Sequence, residues 1–268
     1  SVFAYLGIVG IGAVCVPLNS WWVPTEVIYG LEHSDAKLLF ADEKRLKGLE
    51  SLPNVKKIVT SYTPDDSFMS FNEFIKDHSK VFPEIEINRN DNATIYYTSG
   101  STGKPKGVLS SQKGVIATMF SWACYSAIIN GVEQQEDPNA APLVSSALGI
   151  LLCVPLFHVT GSHAGLLMSI LVGRKIVMMK KWDAGEALKL IQDEQISDIT
   201  GVPTQTWELL NHPERNKYNL SSLKTLGGGG GPRPPDHVKL LDKEFEGRPG
   251  IGYGLSETKA LGTLCNGN

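Results

Sequence analysis

The sequence predicts an α/β protein made of two doubly wound units side by side, and three observations support that prediction. Short runs rich in β-branched residues alternate with segments of helical periodicity, a pattern typical of parallel sheets covered by helices. The chain has 268 residues, which suits one large or two small units of this kind. Hydrophobic residues make up 42% of the chain and charged residues 20%, which is enough apolar material for a core under each sheet.

The first predicted element is a buried helix followed by a buried strand. Residues 1–23 carry no charge, and residues 2–18 are almost wholly apolar. Glycines interrupt this run and no basic residue precedes it, so it lacks the pattern of a membrane span or a signal peptide. We expect residues 13–16 to form the strand, which Pro17 ends.

The next strands are predicted from further β-branched and apolar runs. These runs occupy residues 37–41, 56–60, 93–98, 151–154, 175–179 and 197–200. A short helix is expected at 42–49, between the first two of them. Asp183 can cap a second helix, with Glu186 three residues further on at capping-box spacing.

Two polar segments, 61–67 and 132–142, are expected to be loops. We expect the second loop to contain the boundary between two units, one at 1–135 and the other at 136–268. Ligands are expected at the carboxyl ends of the strands, where open parallel sheets bind them.

Charge and cysteine content restrict the classes of function. The chain has 25 basic and 28 acidic residues, which gives a formal net charge of −3. That balance argues against a basic surface that binds nucleic acid without sequence preference. The four cysteines are too few and too widely spaced for a zinc site or a disulfide framework, which favours a reducing, cytoplasmic setting.

The clearest functional pattern is a loop rich in glycine, hydroxyl and lysine side chains at residues 97–107, directly after a predicted strand. Glycines let backbone N–H groups approach an anion, hydroxyls add donors, and Lys104 and Lys106 add positive charge. The pattern differs from the Walker loop, because Pro105 follows Lys104 where that motif has Ser or Thr. We therefore expect a phosphate-binding loop, with a flexible Ser/Gly surface loop as the alternative.

A second candidate site lies at residues 252–258. Tyr253 stands between two glycines, so a purine could stack on its ring. Glu257 offers the hard oxygen ligand that Mg²⁺ prefers, and Thr258 offers a hydroxyl for a phosphate. The alternative is a simple strand-to-loop turn with an exposed glutamate.

Histidines and a proline in the second half have ordinary structural explanations. His158 and His163 are close in sequence, but no third metal ligand is evident near them. A histidine after an apolar strand is more often a satisfied loop or core residue. Pro203 is equally well explained as the first residue of a helix.

Four sequence blocks occur together in an order and approximate spacing that fit one known superfamily. They are the loop at 97–107, the segments at 155–161 and 252–258, and the glycine-rich run at 227–232. These blocks resemble the acyl-adenylate-forming superfamily: the acyl- and aryl-CoA synthetases, the adenylation domains of peptide synthetases, and the beetle luciferases. The glycine-rich run has glycine where that family usually has alanine. The resemblance covers essentially the whole chain, is strongest to fatty-acyl and other acyl-CoA synthetases, and implies the fold of their large N-terminal domain.

The resemblance implies roles for the residues of these blocks. It places ATP contacts at Thr98, Ser99, Gly100, Ser101, Thr102, Gly103, Lys104, Gly229, Gly230, Gly231, Gly252, Tyr253, Gly254 and Thr258. It gives catalytic roles to Lys104, Lys106, His158, Glu257 and Thr258, and Mg²⁺ binding to Glu257 and Ser101. It places the acid against His158, Val202, Thr204, Gly254 and Leu255.

The implied reaction is ATP-dependent activation of a small-molecule carboxylic acid. The carboxylate attacks the α-phosphorus of MgATP, acyl-AMP and pyrophosphate form, and the thiol of CoA then displaces AMP. Amino-acid adenylation domains usually carry Phe-Asp where this chain has Phe157 and His158, so a fatty or aryl acid is favoured. No nucleic acid partner and no integral membrane span are expected. The chain length of the acid and the oligomeric state are left open.

Other interpretations stay open beside this one. The family's ribose-binding aspartate, hinge and C-terminal lysine would lie beyond the last block, so we expect a fragment without the C-terminal lid domain, inactive alone. A non-catalytic nucleotide- or acyl-binding module, an amino-acid adenylation domain and a luciferase-like enzyme are the alternatives. A dinucleotide-binding dehydrogenase is not favoured, because neither Gly10-x-Gly12 nor Gly250-x-Gly252 has the required third glycine.

Overall fold

The computed structural model describes residues 2–49, 55–59, 68–99, 103–136, 148–245 and 248–266. The chain forms two compact units, Ser1–Lys113 and Gly114–Asn268. The boundary predicted after residue 135 falls at the end of a long helix, Gln112–Glu136, whereas the two compact units divide near its start.

The first unit contains a small parallel sheet, a hairpin and short helices. Its helices are α1 (Val2–Gly10), α2 (Pro24–His33), α3 (Glu43–Leu46) and α4 (Phe71–Ile75). Its strands are β1 (Leu38–Ala41), β2 (Lys56–Val59), β3 (Met69–Ser70), β4 (Asn92–Thr98) and β5 (Lys106–Ser111). Strands β1, β2 and β3 pair in parallel in that order, while β4 and β5 form an antiparallel pair.

The N-terminal prediction is partly wrong. Helix α1 forms, but Tyr5 is its one buried residue and Phe3 is 81% exposed, so it is not a buried helix. The predicted strand at 13–16 reduces to one bridge, in which Cys15 pairs with Thr94. The physical reason is local: Gly12 turns the backbone with a φ of +71°, and Pro17 has no N–H to extend the ladder.

The second unit is built on one six-stranded sheet. Its strands are β6 (Gly149–Leu152), β7 (Lys175–Met178), β8 (Asp198–Gly201), β9 (Thr225–Gly228), β10 (Arg248–Tyr253) and β11 (Thr263–Asn266). They are ordered β11-β10-β9-β8-β6-β7, and only the β10–β11 pair is antiparallel. The predicted strands at 151–154, 175–179 and 197–200 are confirmed as β6, β7 and β8, with bounds that differ by at most two residues.

Helices cover both the sheet and its connections in this unit. They are α5 (Gln112–Glu136), a π-helix (Thr160–Leu167) continuing into α6 (Met168–Val172), α7 (Ala184–Asp193), α8 (Pro203–Leu210) and α9 (Pro235–Glu244), with a 3₁₀ turn at Arg215–Lys217. The predicted cap of α7 is confirmed, because the Asp183 carboxylate accepts the Glu186 N–H at 2.9 Å. Pro203 is the first residue of α8, as its ordinary role predicts.

The predicted loop at 132–142 is wrong for its first part. Residues 132–136 continue α5, because Glu and Gln are good helix formers and here mark an exposed helix end. Residues 137–142, and the whole predicted loop at 61–67, lie outside the described residues.

The core of the second unit lies on one face of the sheet. Leu151, Ile199 and Leu226 are each 0% exposed and point to the same side from β6, β8 and β9. They pack against apolar residues of α7, α8 and α9, including Leu188, Ile191, Leu209 and Leu241. Strand side chains alternate between faces, so the residues between these three face the other side of the sheet.

Helix α5 combines length with an apolar surface. Over Gln112–Gln135 it is long and apolar enough to cross a membrane, and only 11% of its most apolar window is buried. One such helix is only weak evidence for a membrane span, because core helices of other proteins have the same length and composition. Apolar side chains exposed along it include Ile116, Phe120, Ile128 and Val132.

Candidate functional site

The predicted phosphate loop connects the two strands of the hairpin in the first unit. Thr98 ends β4 and pairs with Lys106, which begins β5, and the Thr98 hydroxyl lies 3.5 Å from the Lys106 carbonyl. Gly103 has a φ of +87°, a backbone conformation that favours glycine. Gly100, Ser101 and Thr102 lie outside the described residues. Ser101 is one of the two predicted Mg²⁺ ligands.

The described part of this loop is open and basic. Ser99, Gly103, Lys104 and Lys106 are all exposed. A Cβ added at Gly103 would meet no atom within 4 Å, so the backbone there is accessible to a ligand. Exposed ammonium groups beside accessible backbone can bind an anion such as a phosphate.

Tyr29 contacts this loop, and no sequence pattern indicates that role. The Lys104 ammonium lies 5.5 Å from the centre of the Tyr29 ring, and the Tyr29 hydroxyl donates to the Pro105 carbonyl at 3.2 Å. Tyr29 therefore contacts this loop twice, through a cation–π contact with the Lys104 side chain and a hydrogen bond to the Pro105 carbonyl. Tyr29 lies 75 positions before Lys104 in α2, and no local pattern connects the two.

A cavity of about 210 Å³ lies in the second unit, against the sheet face opposite the apolar core. The face is set by strand alternation: Asp198 and Thr200 of β8 flank the buried Ile199. In register beside them, Thr225 pairs with Asp198 and Gly227 with Thr200. All four of these residues line the cavity, together with Gly250 and Gly252 of β10.

Two helices cover this cavity. The π-helix and α6 contribute Thr160, Ala164 and Met168, which are spaced four residues apart. Helix α5 contributes Trp122, Tyr125 and Ser126, which share one helix face. Apolar side chains and glycines therefore surround most of the cavity.

Glycines at the carboxyl ends of β9 and β10 allow close backbone packing beside this cavity. A Cβ at Gly229 would lie 3.0 Å from the Gly252 carbonyl oxygen, and one at Gly254 would lie 2.5 Å from the Ala260 backbone. Gly230 has a φ of +77°. Gly229, Gly230, Gly252 and Gly254 all line the cavity, so the structure brings four of the predicted ligand-binding glycines together.

The predicted nucleotide motif forms the turn between β10 and β11. Tyr253 ends β10 and is 66% exposed, which leaves its ring accessible. The Thr258 hydroxyl accepts the Leu255 N–H at 2.9 Å and so closes the turn. Leu255 and Glu257 are exposed, and in the described part of the chain no ion pair involves Glu257. The motif is thus both a turn, as the alternative predicted, and a group of accessible side chains.

An exposed carboxylate is the kind of ligand Mg²⁺ takes, so Glu257 fits the predicted metal role by its chemistry. Within the described ranges, no group of three or more His, Cys, Asp or Glu side chains could hold a metal ion. A metal at Glu257 would therefore need further oxygen ligands, such as water or the phosphates of a nucleotide.

The two histidines occupy different environments. His158 is exposed, stacks obliquely on Phe157 with ring centres 4.5 Å apart, and partial desolvation lowers its pKa. His163 is 0% exposed on the π-helix and lies 3.1 Å from the Ser162 hydroxyl. Burial, with a smaller contribution from Lys259, lowers the pKa of His163 to about 4. His163 is therefore a neutral core residue at pH 7, as its ordinary explanation predicts.

Some predicted substrate residues do not reach the cavity. Among the described residues, those lining it do not include His158, Val202, Thr204, Leu255 or Gly231. The Val202 N–H donates to the Gln205 side chain at 2.9 Å, and Thr204 is exposed on α8. For Val202 and Thr204 the structure thus shows helix-start roles.

A buried ion pair that the sequence motifs do not indicate lies at the amino ends of the strands. Arg174, just before β7, donates to the Asp198 carboxylate at 3.1 Å, and the two side chains are 2% and 8% exposed. The Thr200 hydroxyl donates to the other Asp198 oxygen at 3.0 Å. Burial raises the pKa of Asp198, and the neighbouring guanidinium opposes that rise. An aspartate at the start of an otherwise apolar strand was the available signal.

Two of the described cysteines have raised pKa values. Burial raises the pKa of the Cys15 thiol and of the Cys153 thiol to about 12 each, so both are protonated at pH 7. Cys15, Cys124 and Cys153 are all free thiols.

Comparison with known proteins agrees with these motifs. The family model described as AMP-binding enzyme matches residues 1–267. The chain is 28% identical to 4-coumarate–CoA ligase 2 of Solanum tuberosum and 29% identical to 4-coumarate–CoA ligase CCL1 of Humulus lupulus. In both cases the match covers 98% of this chain and 47% of the relative. The chain therefore spans about half the length of the curated relatives it matches.

Solved structures show the same fold. The anthranilate CoA ligase AuaEII in complex with anthranoyl-AMP superposes with a TM-score of 0.84 at 22% identity, covering 98% of this chain and 49% of that one. The N-terminal domain of FACL13 from Mycobacterium tuberculosis gives 0.80 at 22% identity, covering 98% and 62%. The predicted α/β fold of an acyl-CoA synthetase N-terminal domain is confirmed. With this fold and a family match over nearly its full length, the chain belongs to the AMP-binding enzyme family.

Proposed function

We propose that the protein activates a carboxylic acid with ATP and passes the acyl group to CoA. The carboxylate attacks the α-phosphorus of ATP, pyrophosphate leaves, and the CoA thiol then displaces AMP from the acyl-AMP. The observation that supports this most directly is the apolar cavity that ends at the glycine-rich turns of β9 and β10. Relatives named as CoA ligases support the same reaction.

The proposal gives each group of residues a task. The loop from Thr98 to Lys106 binds phosphate oxygens, with Lys104 and Lys106 as cations. Gly229, Gly230 and Gly231, with Tyr253 between its two glycines, bind the adenosine, and Thr258 contacts the α-phosphate. Glu257 holds Mg²⁺, which supplies positive charge to the phosphates when bound. Gly254 contacts the acid in the cavity, while the Val202–Thr204 segment, Leu255 and His158, which do not line the cavity, contact the acid at its mouth.

The acid we propose is a fatty or aryl acid without an α-amino group. A buried ammonium group needs an acidic partner, and His158 is a neutral or cationic group at the corresponding place. A cavity of about 210 Å³ also favours a small ring or a short chain, because drug-sized pockets start at roughly 300 Å³. The names of the relatives, 4-coumarate and anthranilate CoA ligases, agree with an aryl acid.

The protein acts in the cytoplasm, in line with its free thiols, and its partners are small molecules without nucleic acid or a membrane span. The 268 residues alone do not complete the reaction, since they span about half the length of the relatives.

The test is pyrophosphate release by the natural full-length protein, measured over a panel of fatty, aryl and amino acids with MgATP. We expect release with a fatty or aryl acid that exceeds release with every standard amino acid. Lys104→Ala and Lys106→Ala should each lower kcat/KM for MgATP by roughly ten- to a hundredfold. Gly103→Val should lower it more, because φ is +87° there.

Lys239→Ala is the matched control, because Lys239 is also an exposed lysine, 79% exposed on α9, outside every proposed site. It should leave kcat/KM unchanged. ATP binding without pyrophosphate release from any acid would instead indicate a non-catalytic nucleotide-binding module.

A further inference from the structure

The phosphate loop of the first unit contains a cation that no carboxylate neutralises in the described part of the chain. Lys104 is exposed, and none of the ion pairs between described residues includes it. Its ammonium lies 5.5 Å from the centre of the Tyr29 ring. An aromatic ring attracts a cation through its quadrupole but carries no net charge. The ring therefore gives the ammonium a preferred place without cancelling its charge.

A second contact fixes the same tyrosine to the backbone of the loop. The Tyr29 hydroxyl donates to the Pro105 carbonyl at 3.2 Å. Pro105 follows Lys104 directly, and Lys106 begins β5. The two contacts fall on adjacent residues, so one side chain restrains both the lysine and the backbone that leads into the strand.

The Tyr29 ring is itself held from two directions. It stacks on the His33 ring, one turn later in α2, with ring centres 5.3 Å apart. It also meets the Tyr97 ring edge-on, with centres 6.5 Å apart, and the Tyr97 hydroxyl donates to the Gly30 carbonyl at 3.1 Å. Tyr97 directly precedes Thr98, the last residue of β4. Tyr29 is thus fixed by its own helix and by the strand that enters the loop.

A fixed ring suits a lysine that has to bind phosphate. A lysine has a long, flexible side chain, and ordering it around an anion costs conformational entropy. A lysine already held beside the loop loses less of that entropy when a phosphate binds. A carboxylate could hold the ammonium as firmly, but it would compete with the phosphate for the same donors and the same charge.

We propose that Tyr29 is a positioning residue for phosphate binding, because its ring orients the Lys104 ammonium without neutralising it and its hydroxyl ties that ring to the loop. This inference rests on the proposed function, since it takes the loop as the site of the nucleotide phosphates. Tyr29 acts through Lys104 and does not itself touch the nucleotide.

The test compares two substitutions of Tyr29 in the natural full-length protein. Calorimetry measures the Kd of MgATP and, separately, of adenosine, which has no phosphate. Tyr29→Leu removes the ring and should raise the Kd of MgATP about fivefold, the upper value for a cation–π contact at an exposed site. Tyr29→Phe keeps the ring and should stay within about twofold of the natural protein. Neither variant should change the Kd of adenosine by more than about twofold.

A double-mutant cycle separates positioning from a general structural role. In a Lys104→Met background the ammonium is gone, so adding Tyr29→Leu should change the Kd of MgATP by less than about twofold. Phe74→Leu is the matched control, because the Lys56 ammonium lies 5.4 Å from the centre of the Phe74 ring in the same unit, outside the loop. This control should bind MgATP as the natural protein does.

Each other outcome contradicts the inference. Equal losses in Tyr29→Phe and Tyr29→Leu would show that the ring does not orient the lysine. An equal loss for adenosine and MgATP, or the same loss with and without Lys104, would show that Tyr29 only supports the fold. The same conclusion follows if Phe74→Leu weakens MgATP binding as much as Tyr29→Leu does.

Pyrophosphate release, measured on the same proteins, distinguishes this inference from the function on which it rests. If no acid releases pyrophosphate but the expected pattern of MgATP binding is found, the proposed reaction is wrong and the role of Tyr29 stands. If an acid releases pyrophosphate and Tyr29→Leu binds MgATP like the natural protein, the reaction stands and the role of Tyr29 is wrong. Binding of MgATP no tighter than that of adenosine in the natural protein would overturn both.

Discussion

A substitution at Gly254 tests whether the turn after β10 is as tight as the structure shows. A Cβ there would lie 2.5 Å from the carbonyl carbon and oxygen of Ala260, and both are backbone atoms that no side-chain rotation can move. Gly254→Ala should therefore lower the free energy of unfolding by about 1–3 kcal/mol, the usual cost of overpacking. Urea unfolding followed by tryptophan fluorescence measures it.

Gly231→Ala is the matched control in the same glycine-rich environment. The nearest atom to an added Cβ at Gly231 is the Pro203 Cδ at 3.9 Å, an ordinary contact. Its effect should stay within about 0.5 kcal/mol. Equal stability of both variants would show that the turn is looser than the structure indicates.

Residues of the candidate sites differ in how far the sequence predicts them. Gly103, Gly254 and Tyr253 occur in local motifs whose composition already indicates ligand binding. Arg174 and Asp198 are 24 positions apart and meet only because β7 and β8 both flank β6. Such partners depend on strand order, which no local pattern contains.

The contribution of the N-terminal cap of helix α7 to stability can be measured by substitution. The Asp183 carboxylate accepts the Glu186 N–H at 2.9 Å and satisfies one of the first free donors of the helix. Asp183→Ala should therefore lower the free energy of unfolding by about 1 kcal/mol, the usual value for a lost N-cap. Thermal or urea unfolding measures the change.

Asp193, the last residue of the same helix, gives the comparison. A carboxylate at a helix C-terminus lies at the negative end of the helix dipole, so Asp193→Ala should be neutral or slightly stabilising. If the two alanine variants lose stability equally, the cap contributes nothing specific and the proposed difference is wrong.

Elements with strong patterns are also those that the sequence predicts correctly. Strand β6 is an apolar run that is buried on both sides, β8 places Ile199 between two polar residues, and α7 shows helical spacing after a cap. The run at residues 13–16 is equally apolar but forms a single bridge at Cys15. Apolar composition indicates burial, whereas strand formation also needs a neighbour in register, and the sequence does not supply that information.

The second unit as a whole has a sheet with two different faces. One face carries Leu151, Ile199 and Leu226 into the apolar core, and the other carries Asp198, Thr200 and Gly227 into the cavity. The alternation of β8, polar-apolar-polar, is visible in the sequence. Its meaning depends on the helices on each side, because a polar strand face usually points to water and here it is covered by α5 and the π-helix.

Stability of the whole second unit should depend on pH through His163. Its folded-state pKa is about 4, below the ordinary value of 6.5, because burial disfavours the charged ring. Between these two values the unfolded chain binds a proton that the folded chain does not, so stability falls as the pH falls. The loss begins near pH 6.5, is complete near pH 4, and amounts to about 3 kcal/mol at 1.36 kcal/mol per pKa unit.

The measurement is urea unfolding of the protein and of His163→Gln at several values from pH 7 to pH 4. Carboxylates also titrate in this range, so the informative quantity is the difference between the two proteins at each pH. Glutamine removes the titrating ring and keeps a hydrogen-bonding side chain beside the Ser162 hydroxyl, which lies 3.1 Å from the His163 Nδ1. The variant should be less stable at pH 7, and that deficit should shrink by about 3 kcal/mol as the pH approaches 4. A deficit that is constant across the range would mean that the ring is solvated or protonated in the folded state, and that the π-helix does not bury it.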